Sequence, residues 1–96
     1  PDSALAHAQR AIDWAPWSHE PWQLRGEAEL FVRDDVAARK SLTRALELNP
    51  ENWSTWLDLA VASRGAERVR ALAQAKRLNP LSPEVAELQA EFQTEP

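Results

Sequence analysis

The stretch LNPENWSTWL, residues 48–57, ends one apolar helical pattern at a proline and starts another two residues later. The letters LNP return at residues 78–80, and a weaker copy of the same helix ending, RAIDWAP, spans residues 10–16. Pro16 and Pro50 end two of these copies and are 34 residues apart. The same interval separates Trp22 from Trp56. A fixed spacing of this size is typical of chains that stack one small helical unit.

Composition and charge narrow the class of protein. The chain has 96 residues, a formal net charge of −4, 44% hydrophobic residues and no cysteine. This length fits one small domain, and the missing cysteine excludes disulfides and thiolate chemistry. No apolar run is long enough for a membrane span, and the acidic balance argues against non-specific nucleic-acid binding. We interpret the chain as a soluble fragment of a longer protein, whose compartment stays open: cytoplasmic, or the extracytoplasmic side of a bacterial membrane protein.

Apolar periodicity and punctuation predict an all-α fold of about six helices, in which short connections make neighbouring helices antiparallel. The predicted helices cover about residues 3–14, 19–32, 35–48, 53–64, 66–78 and 83–93. Ser18, Asn52 and Ser82 each follow a helix-ending proline by two residues and are expected to cap the next helix, and Asp34 is expected to cap the third. Gly65 is expected to stop the fourth helix.

Residues 19–52 resemble one tetratricopeptide repeat (TPR), a helix–turn–helix unit of 34 residues. The positions that match the family pattern are Trp22, Gly26, Ala38, Leu42, Ala45 and Pro50. Two positions depart from it, because Arg25 and Glu29 stand where the family usually has apolar residues. We expect Leu24 and Leu30, one residue away, to take over those roles through a small rotation of the helix.

A second unit begins with Trp56, Leu59 and Ala60 and closes at Pro80, only 30 residues after the previous closing proline. The four missing residues are expected within VASRGAERV, residues 61–69, which predicts a tight turn there. We therefore predict one domain over 1–96, and the resemblance implies a short right-handed TPR-like α-solenoid. Its parts are the second helix of a preceding repeat at 1–16, a full repeat at 19–50, a shortened repeat at 53–80 and a terminal helix at 83–93.

The sequence favours a protein that is not an enzyme and predicts no cofactor or metal. His7 and His19 lack the neighbouring residue types that a catalytic or metal-binding group needs. The adjacent carboxylates Asp34 and Asp35 are better explained as helix-capping residues, since adjacent helical residues do not face each other.

In the TPR family, the first helix of each pair lines a concave groove that takes a peptide or a partner helix. The resemblance places the following residues in that groove: Glu20, Gln23, Glu27, Leu30, Phe31, Ser54, Leu57, Val61 and Arg64. The basic residues by which the family clamps a terminal carboxylate are absent, since Gln23, Glu27, Leu57 and Val61 occupy those positions. The groove is half acidic and half apolar, so a basic amphipathic peptide fits better than an acidic tail. The alternative is that these acids form only a solvated surface.

The sequence also predicts where the tryptophans and the basic residues of the second helices lie. Trp22 and Trp56 are expected in the core, Trp14 and Trp53 at helix junctions, and Trp17 in part at the surface. The basic residues of the second helices are expected to face outward: Arg39, Lys40, Arg44, Arg68 and Arg70.

We carry three hypotheses of function. The first is a protein-interaction scaffold with a protein or peptide partner. The second is a self-association or spacer module, a homo-oligomer that stacks through uncapped end helices. The third rests on RLNPLSPE, residues 77–84, and DWAPWSHEPW, residues 13–22, which resemble the helical-repeat tails of bacterial O-antigen ligase and polymerase-type membrane proteins. That resemblance would make the chain an accessory domain of a cell-surface polysaccharide enzyme.

Overall fold

A computed structural model describes residues 2–94, which form six α-helices and no strand. The helices are α1 (Asp2–Trp14), α2 (His19–Phe31), α3 (Asp35–Leu48), α4 (Trp53–Ala62), α5 (Gly65–Leu78) and α6 (Pro83–Gln93). The predicted all-α class is confirmed. The predicted domain limits of 1–96 include residues 1, 95 and 96, which lie outside the described part.

The helices pack as consecutive pairs. The most extensive contacts join α2 to α3 and α4 to α5, while α1 with α2 and α3 with α4 connect one pair to the next. The described residues extend over 39 × 25 × 21 Å. Helix pairs that bury their apolar faces against the next pair are the arrangement of a small helical repeat fold. The right-handed sense of the solenoid and the division into repeats stay predictions.

Small residues allow the helices of the α2–α3 pair to approach closely. A Cβ atom on Gly26 would lie 2.6 Å from the Cγ and Cδ2 atoms of Leu42, so no larger residue fits there without movement. Leu42 is 0% exposed and forms the core cluster with Ala38 and Ala62. Ala45 and Ala60 are equally buried. At this cluster the core is therefore built from alanines around the large side chain of Leu42.

Side-chain caps start three helices where the sequence predicted them. The side chain of Asp34 accepts a hydrogen bond from the Ala37 amide, and that of Ser82 accepts one from the Val85 amide. Asn52 accepts from the Ser54 amide, so this asparagine begins α4. Ser18 occupies the N-cap position of α2 but makes no capping hydrogen bond through its side chain, so that part of the prediction was wrong.

A Schellman motif ends α2. The amide of Arg33 donates to the carbonyl of Leu30 and that of Asp34 donates to the carbonyl of Glu29, both at 2.9 Å. This pattern requires a left-handed backbone at the first residue after the helix cap, here Arg33, and glycine is preferred at that position. Arg33 adopts that conformation with φ of 65°. The β-carbon of Arg33 is therefore sterically unfavourable in this backbone conformation.

Replacing Arg33 by glycine is expected to stabilise the chain by about 1 kcal/mol, because glycine adopts positive φ without steric cost. Urea unfolding followed by circular dichroism measures the change. The matched control is Arg33→Ala, which keeps the β-carbon and removes the charge. A gain of the same size in Arg33→Ala would show that the charge, and not the backbone, is responsible.

The second unit is short because α4 and its following loop are short. α4 has ten residues where α2 has thirteen, and two residues connect α4 to α5 where three connect α2 to α3. Together these account for the four residues by which the spacing of the closing prolines is shortened. Gly65 does not stop α4 as expected. It begins α5 with φ of 59°, and Ser63 is the C-cap of α4.

Three arginines satisfy the carbonyl groups at the end of α4. Arg39 donates to the carbonyl of Ala62 at 2.8 Å, Arg64 to that of Ser63 at 2.8 Å, and Arg68 to that of Ala60 at 3.1 Å. The last carbonyls of a helix have no partner within it and carry partial negative charge. The expectation that Arg39 and Arg68 face outward was wrong, because both turn inward to cap this helix. The other three basic residues of the second helices are exposed: Lys40, Arg44 and Arg70.

The two tryptophans at equivalent repeat positions make the same contact. Trp22 donates its indole N–H to the carbonyl of Pro16 at 3.2 Å, and Trp56 donates to that of Pro50 at 2.8 Å. Both side chains are only half-buried, so they lie at the edge of the core rather than within it. Each indole thereby ties its helix to the turn that precedes it.

Two apolar residues lie elsewhere than predicted. Trp14 is 85% exposed, so it does not pack at a helix junction. Leu24 is 54% exposed and does not replace the apolar residue missing at position 25, whereas Leu30 does pack against the core. Trp53 is half-buried and Trp17 is exposed, as expected.

Candidate partner-binding site

A polar cluster joins α2 to α4 on one face of the helix stack. The side-chain amide of Gln23 donates to the hydroxyl of Ser54 at 3.0 Å and to the carboxyl of Asp58 at 3.3 Å. Its carbonyl oxygen accepts from the side-chain amide of Asn52 at 3.1 Å. A further contact of 3.4 Å links the Gln23 amide to the carboxyl of Glu27. One glutamine of α2 therefore organises polar groups from both units.

Asp58 carries the unusual chemistry of this cluster. Burial, a hydrogen bond with the Glu27 carboxyl and the negative charge of that carboxyl together raise the pKa of Asp58 to about 8. The hydrogen bond from Gln23 opposes this shift, since it favours the charged form. Two carboxyl groups in contact cannot both ionise without unfavourable electrostatic repulsion. At neutral pH the pair therefore holds a proton, and a cation placed between the two groups could replace it.

Stability is expected to fall as the pH rises from about 4 to about 8, because folded Asp58 keeps a proton that the unfolded chain has already released. Asp58→Asn mimics the protonated side chain and removes this loss. At pH 8 the variant is expected to be more stable than the parent by about 1–2 kcal/mol, and at pH 4 to be similar. Urea unfolding at both pH values measures the difference.

The control for this prediction is Glu87→Gln, which removes a carboxylate from an exposed position of α6. Its stability should follow the parent at both pH values. An Asp58→Asn variant that loses stability between pH 4 and pH 8 as steeply as the parent would contradict the assignment to Asp58.

The structure brings together part of the predicted groove. Gln23 and Ser54 touch directly, and Glu27 lies beside them. The apolar residues Leu30 and Leu57 are half-buried, whereas Phe31 and Val61 are exposed. We call the surface around Gln23, Ser54 and Asp58 the α2/α4 face; that it forms a binding groove stays a prediction.

Two predicted groove residues stand apart from the polar cluster. Arg64 turns to the end of α4 and lies 3.8 Å from the carboxyl of Asp35. Glu20 is exposed in the first turn of α2, without a described contact to the cluster. Asp58, which the sequence analysis missed, is central. Its signal was its position four residues after Ser54, which places both on one face of α4.

Within residues 2–94, no group of three or more histidine or acidic side chains lies together in a way that could hold a metal ion. No helix in this part of the chain has the length and apolar character of a membrane span. Comparison of the sequence with protein-family models and with curated proteins found no match. The family resemblance, the absence of enzymatic activity and the absence of a cofactor therefore stay predictions.

Proposed function

We propose that this chain is a protein-interaction scaffold of the TPR-like kind, which binds a basic amphipathic peptide or helix along the α2/α4 face. The observation that carries this proposal is the carboxyl pair of Glu27 and Asp58, which lie 3.4 and 3.3 Å from the same side-chain nitrogen of Gln23. A lysine or arginine side chain of the partner replaces the shared proton, because an opposite charge favours the ionised carboxylates.

Apolar contact supplies the other part of the binding energy. Phe31 and Val61 project from the ends of α2 and α4, and both are exposed large apolar side chains. Leu57, which directly precedes Asp58 in α4, is half-buried. A partner helix with cations and apolar residues on one face matches the carboxyl pair and the apolar side chains of this surface. Burial of apolar area contributes about 25 cal/mol per Å² to the binding free energy.

Isothermal titration calorimetry with a 16-residue amphipathic lysine–leucine peptide tests the proposal. At pH 7, in two buffers of different ionisation enthalpy, the binding enthalpy should differ by the release of about one proton per complex. Asp58→Asn should bind at least about tenfold more weakly and release no proton. Glu87→Gln, with the same loss of formal charge on α6, should behave like the parent.

Two outcomes would overturn the proposal. One is the absence of binding to the parent chain at the concentrations at which the peptide remains monomeric. The other is binding that loses as much affinity in Glu87→Gln as in Asp58→Asn, because a general attraction to an acidic chain would then explain it. A proton release that persists in Asp58→Asn would place the titrating group elsewhere.

Self-association is a second candidate function, favoured by the apolar surface at the α5/α6 end of the stack. A groove of about 580 Å³ there is lined by Leu72, Val69 and Phe92, and Val69 is an exposed large apolar residue. Sedimentation equilibrium over a hundredfold range of concentration tests it. Association that Val69→Glu abolishes supports this function, and a monomer at every concentration excludes it.

A further inference from the structure

A second groove lies on the other side of α4 from Asp58. It has a volume of about 550 Å³ and runs between α3 and α5, with α4 as its floor. Trp56, Leu59 and Ser63 line it from α4. At about 100° per residue these three positions lie roughly half a turn from Ser54 and Asp58. The groove is therefore separate from the α2/α4 face, and a ligand could occupy either without the other.

The first unit has a smaller groove of about 400 Å³ at the same position, and charged and polar side chains line it. Arg25 donates hydrogen bonds to Gln9 of α1 and to Glu29, the latter at 3.3 Å. The Ser41 hydroxyl donates to the other Glu29 oxygen at 2.6 Å. Arg25 thus extends from α2 to α1 and occupies part of this space. Glu29 is 5% exposed, so this network belongs to the interior of the unit.

The second unit has lost this network. The residues that correspond to Arg25, Glu29 and Ser41 in the repeat frame are Leu59, Ser63 and Ala71, respectively. None of these three carries a charge. The Ser63 hydroxyl is buried, with the residue 1% exposed, and it has no hydrogen-bond partner among residues 2–94. The groove is thus larger and less polar at its floor than that of the first unit, and a buried polar atom beside it lacks a partner.

The walls of the groove are basic above an apolar floor. The cations that line it are Arg39, Lys40, Arg44 and Arg70, and the carboxylates are Glu47 and Glu67. One of these carboxylates already pairs with Arg44 at 3.1 Å. Lys40 and Arg70 are exposed and make no described ion pair. A positively charged groove in a chain of net charge −4 is a local reversal of sign, and it selects ligands of the opposite sign.

We infer that this groove, which we call the α3/α5 groove, binds an acidic peptide segment of a partner protein. Carboxylates of the segment pair with Lys40 and Arg70 on the two walls. An apolar side chain of the segment lies against Trp56 and Leu59. A floor of Trp56 and Leu59 offers few hydrogen-bonding groups and favours a peptide over a carbohydrate, whose hydroxyl groups would need many more partners.

Two-dimensional NMR of the labelled full chain tests the inference, with the peptide acetyl-EDELLDE-amide as the probe. Amide shifts are expected at the residues that line the α3/α5 groove and not at Gln23 or Asp58. Lys40→Glu/Arg70→Glu should weaken binding at least about tenfold, because it reverses both walls. The control, Arg10→Glu/Lys76→Glu, changes the net charge equally at exposed positions outside the groove and should bind within about twofold of the parent.

A second variant tests the groove without reversing its charge. Leu59→Arg/Ser63→Glu/Ala71→Ser installs the network of the first unit in the second and should abolish binding of the probe. Its circular dichroism spectrum and melting temperature show whether it is folded. Because the four cations of the walls remain in this variant, retained binding would show that charge alone attracts the probe, and would overturn the inference.

Three further outcomes would overturn it. They are the absence of shifts with the acidic probe, an equal loss of affinity in the Arg10→Glu/Lys76→Glu control, and tighter binding of a heparin hexasaccharide to the same amides. The last would assign the groove to an anionic carbohydrate. The proposed function at the α2/α4 face is tested with a peptide of opposite charge, so each proposal can fail while the other stands.

Discussion

Replacing Leu42 by alanine is expected to lower the free energy of unfolding by about 3–5 kcal/mol. Leu42 is 0% exposed, and it is the large side chain around which Ala38, Ala62 and Gly26 pack. The small residues that surround it cannot extend into the space that its removal leaves. In a domain of this size the loss is a large part of the total stability. Urea unfolding followed by circular dichroism measures it.

The matched control is Leu24→Ala, which removes the same atoms from a side chain that is largely exposed on α2. We expect a loss below about 1 kcal/mol there. A similar cost for both leucines would contradict the position of Leu42 at the centre of the core.

The contact between Gly26 and Leu42 can be measured separately. Gly26→Ala is expected to cost about 1–3 kcal/mol, because its new β-carbon would overlap the Leu42 side chain. In the double variant Gly26→Ala/Leu42→Ala that overlap disappears and the β-carbon fills part of the cavity. The double variant should therefore lose less stability than the two single losses combined. Additive losses would show that the two residues do not contact each other.

Helix limits were predictable from sequence because the signals that set them are local. α3 and α6 begin and end at the predicted residues, and α1, α2 and α5 differ by one residue. Each prediction rested on a proline or on a capping side chain whose hydrogen bond spans two or three residues. α4 is the exception, since it ends at Ala62 and not near residue 64. Its end depends on arginines from α3 and α5, which no local signal shows.

Gly65 and Arg33 show how turn chemistry misleads a prediction from sequence. Glycine next to a helix end is usually a stop, yet Gly65 begins α5. The left-handed residue that does stop a helix is Arg33, a residue type with no preference for that conformation. Neither position could be assigned without the backbone path, because two short loops of different length connect the helix pairs.

The candidate site was predictable in part, and the reason lies in helical spacing. Gln23 and Ser54 lie on the first helices of the two units, at positions that the repeat frame assigns to the groove. Asp58 was missed because the frame supplies positions and not burial. Its raised pKa depends first on burial and then on Glu27, which belongs to the other unit. Interactions between units are the part of a repeat protein that one unit's sequence does not contain.

α4 connects the two proposed surfaces. Its Asp58 side faces α2, and its Leu59 side faces α3 and α5. The capping arginines Arg39 and Arg68 come from the helices that border the α3/α5 groove. A short α4 therefore has its last carbonyls satisfied by the walls of the groove, which fixes the position of those walls before any ligand binds. Preformed walls lower the ordering cost of binding.

Arg25→Leu is expected to lower the free energy of unfolding by about 2–4 kcal/mol, because it leaves the buried carboxylate of Glu29 without its charged partner. Ser41 still donates its hydroxyl, but a single neutral hydrogen bond does not replace a cation. The same substitution also removes the contact of Arg25 with Gln9 of α1, so α1 should lose protection from amide exchange before the other helices.

The chain itself suggests the compensating change. Arg25→Leu/Glu29→Ser/Ser41→Ala installs at the first unit the three residues of the second, so no buried charge remains. This triple variant is expected to recover stability to within about 1 kcal/mol of the parent, since replacing a whole buried ion pair costs far less than breaking it.

Arg44→Leu serves as the control for both variants. Its partner Glu47 is exposed, and an exposed ion pair of this kind contributes less than about 1 kcal/mol. If Arg25→Leu costs no more than Arg44→Leu, Glu29 does not depend on Arg25 in the folded chain. If the triple variant is less stable than Arg25→Leu alone, the first unit needs this network to fold. Other contacts, outside the α3/α5 groove, must then stabilise the second unit, which lacks the network.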